Sequence, residues 1–151
     1  MRRFIYVSRW TEAVHADPDL VLQQIVARSI RNNRMHDITG FLLAYDGLFL
    51  QALEGPKAQV EAAYARIEQD PRHDRLTIID DSVANARQFR DWNMCGVSLD
   101  DAGLSLAAAR QSVIAAQGRF DATGALDLLR DVALAEARRE RAAALPPPQR
   151  G

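Results

Sequence analysis

Hydrophobic and polar positions alternate from the start of the chain. In Arg3 to Arg9, Phe4, Tyr6 and Ser8 fall on one side of an extended segment and Ile5 and Val7 on the other, which predicts a strand. The period then changes. Asp17-Pro18 supplies a cap residue and a proline suited to a first helical turn, and Leu22, Ile25, Val26, Ser29, Ile30 and Asn33 follow at helical spacing. Ile38 to Tyr45 and Leu48 to Leu53 are two apolar, β-prone runs separated by Asp46-Gly47, a hairpin signal. Gly55-Pro56 opens a second helix with Val60, Ala63, Tyr64 and Ile67 on its inner stripe, and Asp70-Pro71 stops it. Arg75 to Ile79 and Trp92 to Val97 read as two further short strands, divided by a polar, irregular stretch through Asn85 and Arg87.

The expected order is βαββαββ, an α+β, ferredoxin-like sheet with two helices on one face. Beyond Leu99 the texture changes. Leu104 to Ala116 and Ala122 to Leu145 are alanine-rich and predict two helices, too small for a core of their own and expected to pack on the open sheet face or on another subunit. The domain expectation is therefore a sheet-and-helix unit over residues 1–99, a helical extension of the same globular unit over 100–145, and a disordered Ala/Pro-rich tail over 146–151.

Composition narrows the function classes. With 151 residues, 48% hydrophobic, one globular domain is expected, and a net charge of -1 gives no general attraction to nucleic acid or anionic lipid. Arg2-Arg3 precedes a strand and no signal-type apolar core follows it, and no apolar run reaches membrane-spanning length, so a cytoplasmic location is expected. Cys95 is the single cysteine, which excludes an internal disulfide, and His15, His36 and His73 share no ligand spacing with it, so no metal site is expected.

The candidate chemistry lies in polar residues within apolar segments. Tyr6, Ser29, Asn33 and Gln51 sit where periodicity predicts burial, so they must satisfy one another or line a pocket for a ligand with many hydrogen-bonding edges, such as a flavin. Singly, each has a plainer reading: Tyr6, Trp92 and Met94 as core, Asn33 as a helix cap, Glu54 as a strand-end carboxylate. Gln51 on an apolar strand is harder to account for structurally.

Six motifs in order carry a resemblance: YVSR at Tyr6 to Arg9, RNN at Arg31 to Asn33, ITG at Ile38 to Gly40, FLQALEG at Phe49 to Gly55, DPRH at Asp70 to His73, and W-x-M at Trp92 to Met94. Together, over about residues 3–99, they resemble a BLUF domain, a blue-light sensor that uses a bound flavin. The resemblance implies that Tyr6 donates an electron and then a proton to the excited flavin, and that Gln51 lies between Tyr6 and the flavin N5/O4 edge. It implies amide contacts from Asn33 and Asn32, in a polar cluster with Ser29, a guanidinium contact from Arg66, and apolar contacts from Ile25, Phe49 and Ile67. Asp70 and His73 match positions near the flavin side chain, and Ser8, Trp92 and Met94 match neighbours linked to signalling, with the inward or outward placement of Trp92 and Met94 left open. Asn32 stands where some members place histidine, and both donate hydrogen bonds.

The implied cofactor is noncovalent FAD, with FMN or riboflavin able to replace it in recombinant protein. Cys95, in the last strand, is not positioned for a cysteine–flavin adduct. No output enzyme is visible, so the implied protein is a photoreceptor and not an enzyme, signalling to an unidentified downstream protein and expected to form a homo-oligomer. Two other readings stand beside it. One is a cofactor-free interaction module; the other is an acylphosphatase-type hydrolase, ranked lower because Trp10 to Asp17 is no glycine-rich phosphate cradle.

Overall fold

A computed structural model describes residues 1–101 and 103–149. In chain order the elements are β1 (Arg2–Trp10), α1 (Glu12–Ala16), α2 (Pro18–Met35), β2 (Thr39–Tyr45), β3 (Leu48–Gly55), α3 (Lys57–Glu68), β4 (His73–Val83), β5 (Cys95–Ser98), α4 (Ala107–Ala116) and α5 (Ala122–Ala144). The strands form one sheet in the order β4-β1-β3-β2-β5. The first four are antiparallel and β5 joins β2 in parallel, which extends the ferredoxin-like plan by one edge strand.

Local signals explain most element boundaries. The Asp17 side chain accepts a hydrogen bond from Leu20 N at 3.3 Å and Pro18 follows, so α2 starts where its capping chemistry is complete. Asp46 and Gly47 both have positive φ, 52° and 76°, the signature of a tight turn whose twist suits a hairpin. Asp121 caps α5 by accepting from Gly124 N at 2.6 Å.

Side-chain alternation sorts the core into two layers. Phe4, Leu42, Phe49 and Leu53 point toward α2 and α3, while Ile5, Val7, Phe41 and Leu50 point toward α4 and α5. α5 buries Ala125, Leu128, Leu129, Val132 and Ala133 on that second face, as the sequence led us to expect. Each fully buried Leu or Phe contributes roughly 1.5–3 kcal/mol by leaving water, so both faces are strongly held.

Two strand boundaries differ from expectation. β4 is longer than Arg75 to Ile79, running on through Asp80, Asp81 and Ser82, because an edge strand tolerates solvent-facing polar residues and Arg2 pairs with Asp81 alongside it. β5 begins only at Cys95, so Trp92 and Met94 lie in a strap that precedes it. That strap makes one backbone bond to the sheet near its end, Gly40 N to Trp92 O at 3.1 Å, and is otherwise pinned by side chains. α1 was not anticipated; it occupies part of Trp10 to Asp17, where the hydrolase reading would need a phosphate cradle. In the expected tail, residues 146–149 are exposed and carry no helix or strand, and Arg150 and Gly151 lie outside the described residues.

Candidate functional site

The two helices on the first face do not close against each other. Between α2, α3 and the start of β4 lies a cleft of about 500 Å³, within the roughly 300–1,000 Å³ usual for small-molecule sites. Ile25, Ser29, Asn32 and Asn33 reach it from α2, where positions 25, 29, 32 and 33 share one helical face. Arg66 and Ile67 line it from α3, Gln51 from β3, and Asp70 and His73 from the turn into β4. Nine of the fourteen expected site residues thus line one cleft.

The other five stand behind it. Tyr6 is fully buried beneath the cleft, and its hydroxyl donates to Gln51 Oε1 in a short contact between paired residues of β1 and β3. Gln51 Nε2 in turn donates to Met94 Sδ at 3.4 Å, so Met94 is the inward residue of its pair. Trp92 belongs to the opposite layer, edge-on to Phe41 with centroids 5.6 Å apart. Ser8 Oγ lies 2.8 Å from His73 Nδ1, and Phe49 packs between Trp10 and His73, one layer back from the cleft.

Gly40 explains how Met94 gets in. A Cβ there would sit 2.3 Å from Ala52 O, so glycine is required by the close approach of the β3 backbone, and the missing side chain also leaves room for the Met94 methyl, 3.1 Å from that point. Asn33, only 4% exposed, donates to Asn93 O at 2.8 Å, and Asn93 Nδ2 donates to Ile38 O at 3.1 Å. A cleft residue on α2 therefore holds the strap next to Met94.

Burial sets the electrostatics. It pushes the Tyr6 phenol well above its usual pKa, helped by the nearby Asp70 and Tyr64, so Tyr6 is a neutral donor. Burial brings His73 down to about 4 despite Asp70, leaving a neutral imidazole at pH 7. For Asp70, burial pushes upward, but hydrogen bonds from Arg72 outweigh it and hold the carboxylate below its usual range.

Cys95 faces the opposite layer, and burial next to Glu136 and Glu140 pushes its thiol up to about 12. It is neither near the cleft nor a ready nucleophile. Cys95, Glu136 and Glu140 bring potential ligand atoms within 4.8 Å of one another. Arg139 already binds Glu136 through two bonds of 2.9 and 2.7 Å, which takes up that carboxylate.

Three contributors escaped the sequence reading. Arg28 lines the cleft one helical turn from Asn32, a signal that helical spacing from Ile25 would have given. Arg72 also lines it, inside the DPRH motif. Glu54 is a fully buried anchor and not a simple strand end: it binds Arg3 at 3.0 and 2.8 Å and accepts from the backbone of Gln88 and Phe89. Its partners lie more than thirty positions away, beyond the reach of local pattern.

Comparison with known proteins supplies the family. The family model of BLUF domains, sensors of blue light using FAD, matches residues 1–95. The beta subunit of a photoactivated adenylate cyclase from Euglena gracilis is 28% identical over 100 residues, which is 66% of this chain and 12% of that protein. The chain thus spans about an eighth of that curated relative. Among solved structures, BlrB, a BLUF protein in its dark state, is 32% identical with a TM-score of 0.63, covering 95% of this chain and 96% of that one. A bacterial light-regulated adenylyl cyclase gives a TM-score of 0.70 at 29% identity, covering 77% of this chain and 34% of that one. Among the described residues no helix is long and apolar enough to cross a membrane. With the family model matched over residues 1–95 and the fold in agreement, the chain belongs to the BLUF family of blue-light sensors.

Proposed function

We propose that this protein is a blue-light photoreceptor that binds FAD noncovalently in the cleft between α2 and α3 and signals by protein–protein contact. The cleft suits such a group: Ile25, Leu53 and Ile67 offer apolar walls to a flat ring, and the nearly inaccessible amides of Gln51 and Asn33 offer polar edges. Arg66 and Arg28 add cationic donors. Ring, adjoining chain and charge are thus all provided for, and FMN would meet the same groups.

The observation that carries the reading is the buried chain Tyr6 to Gln51 to Met94. When bound, flavin supplies absorption of blue light and a strong excited-state oxidant. Tyr6 would be the donor to that group, first of an electron and then of its phenolic proton, and would regain both as the flavin returns to its starting state. Gln51 is the part that changes, because a primary amide carries a donor and an acceptor on one planar group. In the dark arrangement its oxygen faces Tyr6 and its nitrogen faces Met94. Rotation exchanges these, and a thioether can only accept, so the rotated arrangement loses its bond to Met94. The change at the cleft thereby becomes a change at the strap, which runs into β5 beside α4 and α5.

In this reading residues 1–99 form the sensor and residues 100–145 complete the same globular unit, supported by the single apolar layer that α4 and α5 share with the sheet. The partner that reads the change is an unidentified downstream protein or a second copy of the chain. The test is an absorption spectrum in darkness, after blue light and during recovery. A flavin spectrum moving reversibly to longer wavelength is expected, and Tyr6→Phe and Gln51→Leu should each stay yellow but lose the shift. A normal shift in Tyr6→Phe would sink the electron-donor role, and a colourless protein that resists reconstitution would sink the cofactor.

A further inference from the structure

Tyr6 is gripped from two sides. Tyr64 of α3 meets its ring edge-on with centroids 5.9 Å apart, and His73 of β4 does the same at 6.0 Å. Tyr64 is fixed in turn by Phe4 at 4.5 Å. His73 packs on Phe49 at 5.1 Å, and its Nδ1 lies 2.8 Å from Ser8 Oγ, a hydrogen bond whose donor the imidazole tautomer decides. Ser8 stands two residues after Tyr6 on the same face of β1 and is only 1% exposed.

The backbone is shaped around this contact. The pairing of β1 with β4 shifts between Val7 and Arg9, leaving Ser8 without a partner in β4. On the β4 side the irregularity takes in Arg75, which adopts φ 52°, a conformation a non-glycine residue enters at a cost. Bulges re-aim side chains, and this one begins after Asp74, one residue beyond His73. It lies between Thr77, opposite Val7, and His73, opposite Trp10, which brings the imidazole onto the Tyr6 face within reach of Ser8.

We propose that Ser8 and His73 act together as positioning residues for the light reaction: the serine fixes the imidazole edge-on to Tyr6, and the imidazole keeps the phenol aimed at Gln51. This rests on the photoreceptor reading. It assigns Ser8 a role through His73 rather than through the glutamine, and it gives His73 a second task besides lining the cleft.

The test uses Ser8→Ala, Ser8→Thr, His73→Phe and the double variant Ser8→Ala with His73→Phe. In flavin-free protein, ring-nitrogen NMR of His73 and the Tyr6 ring signals report the pair directly. Ser8→Ala should change the His73 nitrogen signals and broaden or average those of Tyr6, and Ser8→Thr, which keeps the hydroxyl, should restore both. In the flavin-loaded full chain, Ser8→Ala should lower the yield of the red-shifted form by about threefold or more at equal flavin content. The double variant should lose no more than His73→Phe alone, as expected for two groups acting as one unit. Unchanged His73 and Tyr6 signals in Ser8→Ala, or equal and additive losses from the two single changes, would overturn the pairing. If the unaltered protein shows no red shift at all, the photoreceptor reading fails instead, and the flavin-free NMR arm still decides whether Ser8 holds His73 against Tyr6.

Discussion

The two faces of the sheet solve the burial of polar groups in opposite ways. On the α4/α5 face the buried charged groups are carboxylates locked to arginines: Glu54 to Arg3, and Glu136 to Arg139. On the α2/α3 face the buried polar groups are neutral, Tyr6, Ser8, Asn33 and Gln51, and they are joined by single hydrogen bonds. A doubly bonded ion pair has one arrangement, whereas a neutral amide between a hydroxyl and a sulfur has two of comparable cost. The first face is built to stay as it is, and the second can change without unfolding. Glu54 matters to both, since it anchors Gln88 and Phe89, the near end of the strap that carries Trp92, Asn93 and Met94.

The largest effect that separates the faces comes from breaking a lock. Arg3→Met leaves Glu54 fully buried with only the two backbone donors of the strap. Losing one partner of a buried pair costs about 3–5 kcal/mol, so urea unfolding should show a loss in that range. The neutral face should respond less to Gln51→Leu, which replaces an amide by an apolar group of similar size and takes the partner of the buried Tyr6 hydroxyl away, about 1–3 kcal/mol. Equal losses from the two changes would erase the distinction drawn between the faces.

A titration sharpens the contrast on the neutral side. His73 is neutral in the folded protein down to about pH 4, while in the unfolded chain it takes up a proton near 6.5. The unfolded state therefore binds more protons between those values, and stability is full above pH 6.5 and falls as the pH drops toward 4. The loss is about 3 kcal/mol across that window. Asp70, held low by Arg72, adds its own loss only at more acid pH, as it becomes protonated. Denaturant unfolding of flavin-free protein at a series of pH values measures this, and His73→Phe should flatten the curve between pH 6.5 and 4. A slope that survives in that variant would assign the titration to another group.

Most of the architecture was legible because it rests on local signals. The switch from period two to helical spacing, the Asp17-Pro18 cap and the Asp46-Gly47 turn mark elements that formed where they were expected. The cleft was legible for the same reason on α2, where Ile25, Ser29, Asn32 and Asn33 share a face by spacing alone. Long-range pairing was not legible. Nothing near Glu54 in the chain announces Arg3 or Phe89, nothing near Ser8 announces His73, and the end of β4 runs past its apolar stretch because an edge strand can face water. Met94 and Trp92 illustrate the boundary: two positions apart in an irregular strap, they point to opposite layers, and the reasons for the thioether to turn inward, the room beside Gly40 and the Asn33 bond to Asn93 O, lie far away in the chain.

The smallest expected effect on stability tests how the changeable face reports outward. Met94→Leu nearly conserves volume, so it should cost less than about 1.5 kcal/mol. Leucine lacks the sulfur that accepts from Gln51 Nε2, and that bond exists only in the arrangement seen here, with the amide nitrogen turned toward the strap. Under the proposed photocycle, removing it takes away a preference for the dark arrangement of about 0.5–1 kcal/mol, as for one weak neutral hydrogen bond. Recovery in darkness should then slow, by up to about fivefold when the bond is already made at the barrier, while the size of the red shift is kept, since Tyr6 and Gln51 are untouched. Faster recovery would mean that the sulfur favours the lit arrangement. The amide seen here would then be the one that illumination produces, and the direction in which Gln51 works on the strap would reverse.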